Sequence, residues 1–213
     1  MAYIGLRYPA VAKVFGHTDG SGVSYSAGMM MGRAIEANLT INRNNNPLYA
    51  DDRIAEDDTG ITGMEITLNL DDIDETVQAY MLGVTETQDQ GETEPSYTDT
   101  DESAPEVGFG YIRVRRKNGV TTFQVVWYYK ATFALTDETA QTKGESIEWQ
   151  TPSITGRIMG VSIDSSGALT YRLRKNFATE AAALAFLKSM AEISESGETN
   201  QGTNQGANQG TGN

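Results

Sequence analysis

The 213-residue chain offers few side chains that could do chemistry. Its only histidine, His17, stands beside the turn-forming run Asp19-Gly20-Ser21-Gly22, in a chain with no cysteine and with no carboxylates spaced to join it. Metal sites and acid–base pairs need convergent partners, so His17 reads as an ordinary loop residue. Asp71, Asp72, Asp74 and Glu75 could in principle work as acid–base carboxylates, but they open a stretch with apolar residues at Ile73, Val77, Tyr80 and Met81. That is the stripe of an amphipathic helix, and carboxylates suit its positive end, with Asp71 or Asp72 as the cap and Gly83 as the stop. Asp99-Thr100-Asp101 begins like a calcium loop, yet Ala104 takes the sixth position, where glycine makes the sharp turn, and the closing glutamate is missing. There is no P-loop, Gly-x-Ser-x-Gly elbow or zinc spacing. No catalytic role, cofactor or metal is expected.

The elements that would position these residues carry more information. Ile35, Ala37, Leu39 and Ile41 alternate with Glu36, Asn38, Thr40 and Asn42, and Met64, Ile66, Leu68 and Leu70 alternate with Glu65, Thr67 and Asn69. A period of two marks half-buried strands, and the two read as partners. The connection from Arg43 to Thr62 is far longer than the roughly 2 to 5 residues of a hairpin loop. It keeps Leu48, Tyr49 and Ile61 among five acidic residues, a pairing of apolar anchors with a charged rim.

Asn118-Gly119 between two β-patterned runs predicts a two-residue type I′ hairpin. That turn sets Lys117 opposite Val120, Val114 opposite Phe123 and Ile112 opposite Val125, with Trp127 and Tyr129 covering Gly110 and Gly108. The other face presents Phe109, Tyr111, Arg113 and Arg115 with Thr122, Gln124, Val126 and Tyr128. Aromatics among arginines can stack on nucleic-acid bases, but in so acidic a chain this face is expected to pack on another protein surface. Further strands are expected at Ala10 to Phe15, Val23 to Arg33, Glu145 to Gln150, and in a pair formed by Ile158 to Ile163 and Ala168 to Leu173. Thr179 should cap a helix from Glu180 to Ile193.

Two helical patterns against many strands indicate an all-β class, a β-sandwich or partial barrel with one or two flanking helices. One domain is expected over residues 1–193, interrupted by an acidic flexible loop at 84–106, with a low-complexity Asn/Gln/Gly/Thr tail at 194–213. The formal charge is −13, but residues 86–106 hold eight acidic and no basic residues, so −8 sits there and −5 elsewhere. Such a balance argues against gripping a phosphate backbone. No apolar run approaches the roughly 18 residues of a spanning helix, and Met1 to Val14 lacks the build of a signal peptide, so a soluble, unexported protein without membrane insertion is expected.

Several motifs also carry a likeness. They are Gly5-Leu6-Arg7-Tyr8-Pro9, Gly32-Arg33-Ala34-Ile35-Glu36-Ala37, Asn44-Asn45-Asn46-Pro47-Leu48-Tyr49-Ala50-Asp51-Asp52, Tyr128-Tyr129-Lys130, and Thr142-Lys143-Gly144-Glu145-Ser146-Ile147-Glu148 leading to Thr155-Gly156. In this order they resemble the major tail tube proteins of long-tailed, non-contractile bacteriophages, over about Met1 to Ile193. The resemblance implies β-sandwich subunits that close into hexameric rings and stack into a virion tail, assembled in the host cytoplasm, through which phage DNA passes without specific binding. Tape measure, tail terminator and baseplate proteins are the partners it implies. It further implies that the long connection, through Asn45, Asn46, Pro47, Leu48, Tyr49, Asp51, Asp52 and Arg53, reaches a neighbouring subunit or ring. Part of each sheet would join an inner barrel, with Glu36, Glu65 and Glu148 as candidate carboxylates facing the channel. Two other classes compete: a receptor- or carbohydrate-binding β-sandwich, which would carry an aromatic platform on loops, and the inner tube of a contractile injection system, which needs an exterior that contacts a sheath.

Overall fold

The computed structural model describes residues 2–17, 22–44, 46–50, 53–58, 60–88, 90–100, 103–135 and 153–194. In chain order the strands begin with β1 (Ala2–His17), β2 (Val23–Met30), β3 (Ala34–Arg43), β4 (Asn46–Ala50), β5 (Arg53–Asp58) and β6 (Ile61–Leu70). Helix α1 (Glu75–Leu82) precedes β7 (Thr85–Thr87), β8 (Ser96–Thr98), β9 (Val107–Lys117) and β10 (Val120–Leu135). After β11 (Ser153–Ile158), β12 (Val161–Ser162), β13 (Leu169–Thr170) and β14 (Arg172–Phe177) comes helix α2 (Glu180–Met190).

Strand β10 joins two halves of one antiparallel sheet ordered β2-β1-β9-β10-β11-β6-β3. Up to Tyr128 it pairs with β9 on one edge and β14 on the other. Its register against β9 then slips between Tyr128 and Ala131, and from Ala131 onward it pairs with β11. A slip of this kind bends a strand. The sheet folds back there, so that Val11, Phe109, Tyr111, Val126 and Tyr128 pack against Met64, Ile66, Leu68, Ile154 and Ile158. The fold is thus dominated by β-structure, with a core between two sheet halves and two flanking helices. Helix α1 contributes Val77 and Met81 to that core, while α2 packs Ala183 and Leu187, with Ala191 at its C-terminal end, against Ile112, Val125 and Trp127 on the opposite face. Arg7 Nη1 donates to Glu180 Oε1 at 2.7 Å and fastens the first turn of α2 to β1; this hydrogen bond holds the Glu180 carboxyl below its usual range.

The β9–β10 turn has Asn118 at φ 50° and Gly119 at φ 80°, the pair of positive values a type I′ turn requires. Its register is the expected one: Lys117 lies opposite Val120, Val114 opposite Phe123, Ile112 opposite Val125 and Gly110 opposite Trp127. A side chain on Gly119 would meet nothing within 4 Å, so substitution there tests the backbone alone. Gly119→Val is expected to cost about 1 kcal/mol or more, read as a lower melting temperature. An unchanged melt would count against the turn.

Other expectations change. Gly108 is covered by Tyr25 and Trp127 rather than by Tyr129, because the register has slipped by that point and the Tyr129 N–H donates to the Tyr171 carbonyl. Phe109, Tyr111, Val126 and Tyr128 are fully buried under the folded-back half of the same sheet, so that part of the face is not available to another protein. Ile35 points outward, 57% exposed, because a register shift between Ala34 and Glu36 turns it off the apolar face that Ala37, Leu39 and Ile41 share. The cap of α1 is Asp74, whose Oδ1 accepts from Thr76 N at 2.9 Å; Asp71 Oδ1 instead accepts from the backbone of Arg33 and Asp72. Strand β1 runs straight through Pro9, where Tyr8 at φ 56° and a register slip between Arg7 and Ala10 lift the proline out of the ladder.

Within residues 84–106 the chain forms a small hairpin, β7 with β8, rather than an irregular loop. Tyr97 ties it to α1 through a 3.2 Å hydroxyl contact with Thr76. The pair expected from Ile158 to Leu173 is reduced to β12 and β13, because Arg172 onward pairs with β10 as β14. The strand expected at Glu145 to Gln150 lies outside the described residues, as do positions 195–213 of the tail.

Candidate functional site

On the half of the sheet made by β3, β6, β11 and the end of β10, one face is core and the other meets solvent. The ladder registers arrange the solvent face in rows: Glu36, Asn69 and Ser153; then Asn38, Thr67, Thr155 and Ala134; then Thr40, Glu65, Arg157 and Thr132. Asn69 Nδ2 donates to Glu36 Oε2 at 3.2 Å. Apart from Glu36, Glu65 and Arg157, these side chains are neutral, so the wall is short and polar rather than strongly acidic. It dips into a depression of about 480 Å³ lined by Glu65, Ser103, Thr132, Thr155 and Arg157, with Glu65 and Arg157 both exposed. Among the described residues no group of three His, Cys, Asp or Glu side chains could hold a metal ion, and no helix is long and apolar enough to cross a membrane. His17 Nδ1 contacts the Gly22 carbonyl at 3.2 Å.

Among the described residues, this polar half-sheet lacks a pairing strand along part of each edge. No strand pairs along the outer edge of β3 among the described residues. At the other side, β10 passes beyond the start of β9 after Ala131, so among the described residues Thr132 to Leu135 pair with β11 alone, with Ser103 and Ala104 lying beside Thr132, Phe133 and Ala134.

The connection between β3 and β6 is an arm. Among the described residues, strands β4 and β5 pair with each other and with no other strand, and the arm closes at its base through Asn44 N donating to the Gly60 carbonyl at 2.8 Å. Asn46, Pro47, Leu48 and Tyr49 lie in β4, and Arg53 is exposed at the start of β5, whereas Asn45, Asp51 and Asp52 lie outside the described residues. Glu36 and Glu65 share the polar face as expected of their strand parity, while Glu148 lies outside the described residues. Asn118 and Gly119 form an exposed turn remote from that face.

Sequence reasoning missed one grouping. Past the covered core, the inner face of β9, β10 and β14 continues as Arg113 and Arg115 opposite Gln124 and Thr122, and as Arg174 and Asn176 opposite Val126 and Gln124. The spacing of two in Arg113/Arg115 and Arg172/Arg174 was the signal available, but only the β10–β14 pairing brings the two sets to one surface. No family model matches this chain, and no curated protein matches it either.

Proposed function

We propose that this chain is a structural subunit of a tube: a major tail tube protein of a long-tailed, non-contractile bacteriophage, whose hexameric rings stack and conduct DNA. One observation carries the reading. Among the described residues, a four-stranded half-sheet has an apolar face in the core, a short polar face in solvent, no partner strand along the outer side of β3, and β11 as the one partner of Thr132 to Leu135. Exposed edges are a liability that closure into a barrel removes. A contact from the edge of β3 on one copy to the end of β10 on the next uses two different surfaces, and such contacts close into rings. Six copies lending four strands each would form a barrel of about two dozen strands, in the size range that encloses a water-filled channel. Ile35, exposed beside the open edge of β3, then gains an apolar contact.

The polar rows suit a channel wall for DNA. Threonine, asparagine and serine offer water-like hydrogen bonding, and one arginine among them gives phosphates no cationic track to hold. Tape measure, tail terminator and baseplate proteins are the partners this reading entails. Negative-stain electron microscopy of the purified protein at high concentration is the test. Rings or hollow tubes are expected; persistent monomers would overturn the proposal in favour of a binding module.

A further inference from the structure

Strands β9, β10 and β14 contain no aspartate or glutamate, in a chain with 29 acidic and 16 basic residues. Their inner face carries Arg113 and Arg115 toward the β9–β10 turn, beside Tyr3, which is 52% exposed, with Arg174 and Arg172 farther along β14 opposite Val126 and Tyr128. Neutral side chains accept hydrogen bonds from Arg113 and Arg115. Asn176 Oδ1 accepts from Arg115 Nη1 and from Gln124 Nε2, both at 2.9 Å, and Arg113 Nη2 donates to Tyr111 Oη at 2.7 Å. Arg113 and Arg115 lie 5.2 Å and 5.7 Å from the centre of the Tyr3 ring. The ion pairs among the described residues involve Arg7, Arg33 and Lys130, leaving Arg113, Arg172 and Arg174 without a carboxylate. Arginine with exposed tyrosine is the composition of a protein contact surface.

The matching charge lies at the other end of the same strands. The β7–β8 hairpin precedes Val107, the first residue of β9, and its base borders Phe133 and Ala134 near the end of β10. Glu86, Glu92, Glu94 and Asp99 on and around it are exposed. From Val107 to Arg115 the strand spans roughly 25 Å, at about 3.3 Å per residue. An acidic end and a basic end so placed do not meet within one molecule. They meet when copies stack in the same orientation, and a contact between two different surfaces that does not close grows into an open stack.

We infer that the arginine face docks the acidic β7–β8 hairpin of a second copy, joining copies head to tail along β9 and β10. The inference rests on the tubular reading and supplies its contact between successive rings.

A charge exchange tests it. One variant carries Arg115→Glu and Arg174→Glu; the other carries Glu86→Lys, Glu92→Lys and Glu94→Lys. Each alone is expected to lose self-association by about tenfold or more in sedimentation velocity, and an equimolar mixture to regain it, because each reversed surface meets its complement on the other variant. Arg174→Glu alone, at an exposed position, preserves the test if the double change lowers the melting temperature. Wild-type association should weaken toward 1 M salt, where the screening length falls to about 3 Å. A folded variant that associates like wild type, or a mixture that stays dissociated, overturns the inference. So does duplex DNA retarded by the wild type and released by the arginine variant. Hollow tubes from the wild type and both variants would sink the docking contact and leave the tube reading standing. Charge-dependent stacks with no lumen would do the reverse.

Discussion

Trp127→Ala is expected to destabilise the protein by about 3–5 kcal/mol, the range for truncating a fully buried large aromatic. The ring is 0% exposed and sits between the glycines of β9 and helix α2. Its Nε1 donates to Tyr25 Oη at 3.1 Å, Tyr25 in turn donates to the Tyr129 carbonyl at 2.8 Å, and the two rings meet edge to face at 5.3 Å. Truncation opens a cavity and unties β2 from β10 at once. With domain stabilities of about 5–15 kcal/mol, such a loss should move the urea midpoint far toward zero or leave the chain unfolded.

Gly110→Ala probes the same site from the other side. A methyl group there would run into the Trp127 ring and come within 2.7 Å of the Val126 carbonyl oxygen, which cannot yield without breaking the ladder. Overpacking of this kind costs about 1–3 kcal/mol. Because both residues share one contact, the double variant should lose less than the two single losses combined. Additive losses, or a Trp127→Ala midpoint within error of wild type, would show that the ring is not the wedge between sheet and helix.

Replacing residues 45–59 with an Asn-Gly turn should abolish tubes and rings while leaving the monomer's melting within about 1 kcal/mol of wild type. Strands β3 and β6 are already paired up to Arg43 and Ile61, and Asn44 already bonds Gly60, so a two-residue turn completes the hairpin. An isolated two-stranded hairpin is marginal in water, and among the described residues β4 and β5 pair only with each other, so the proposed tube gives the arm its support in a neighbouring copy. On the proposed tube reading, Leu48 and Tyr49, within an acidic stretch of the sequence, are the candidate anchors for that support. Electron microscopy and circular dichroism together decide the matter: normal tubes from the shortened protein exclude the arm as an assembly element, and loss of cooperative melting makes it part of the core.

Local chemistry was enough for several features. Asn118-Gly119 determined its hairpin and the register of β9 on β10, because a two-residue turn with two positive φ values leaves one alignment of the flanking strands. The period of two determined that Ala37, Leu39 and Ile41 pair inward with Leu68, Ile66 and Met64, and that Glu36 and Glu65 share the opposite face. What covers a face is another matter. Alternation gave β9 and β10 one apolar face and one of aromatics among arginines, expected to meet another protein, yet only the bend after Tyr128 decided that Phe109 and Tyr111 lie under the chain's own second half and that Arg113 and Arg115 lie beyond it. The slip at that bend also moved the cover of Gly108 from Tyr129 to Tyr25 on β2. Composition described residues 84–106 as having little to bury, but a hairpin needs few apolar contacts when Tyr97 can lean on Thr76 of α1. The arginine surface was the least legible, because β9 and β14 are far apart in the chain and meet only through β10. Periodicity and turn type are set by neighbours along the chain, whereas the charge and cover of a surface are set by strands that the chain brings together only on folding.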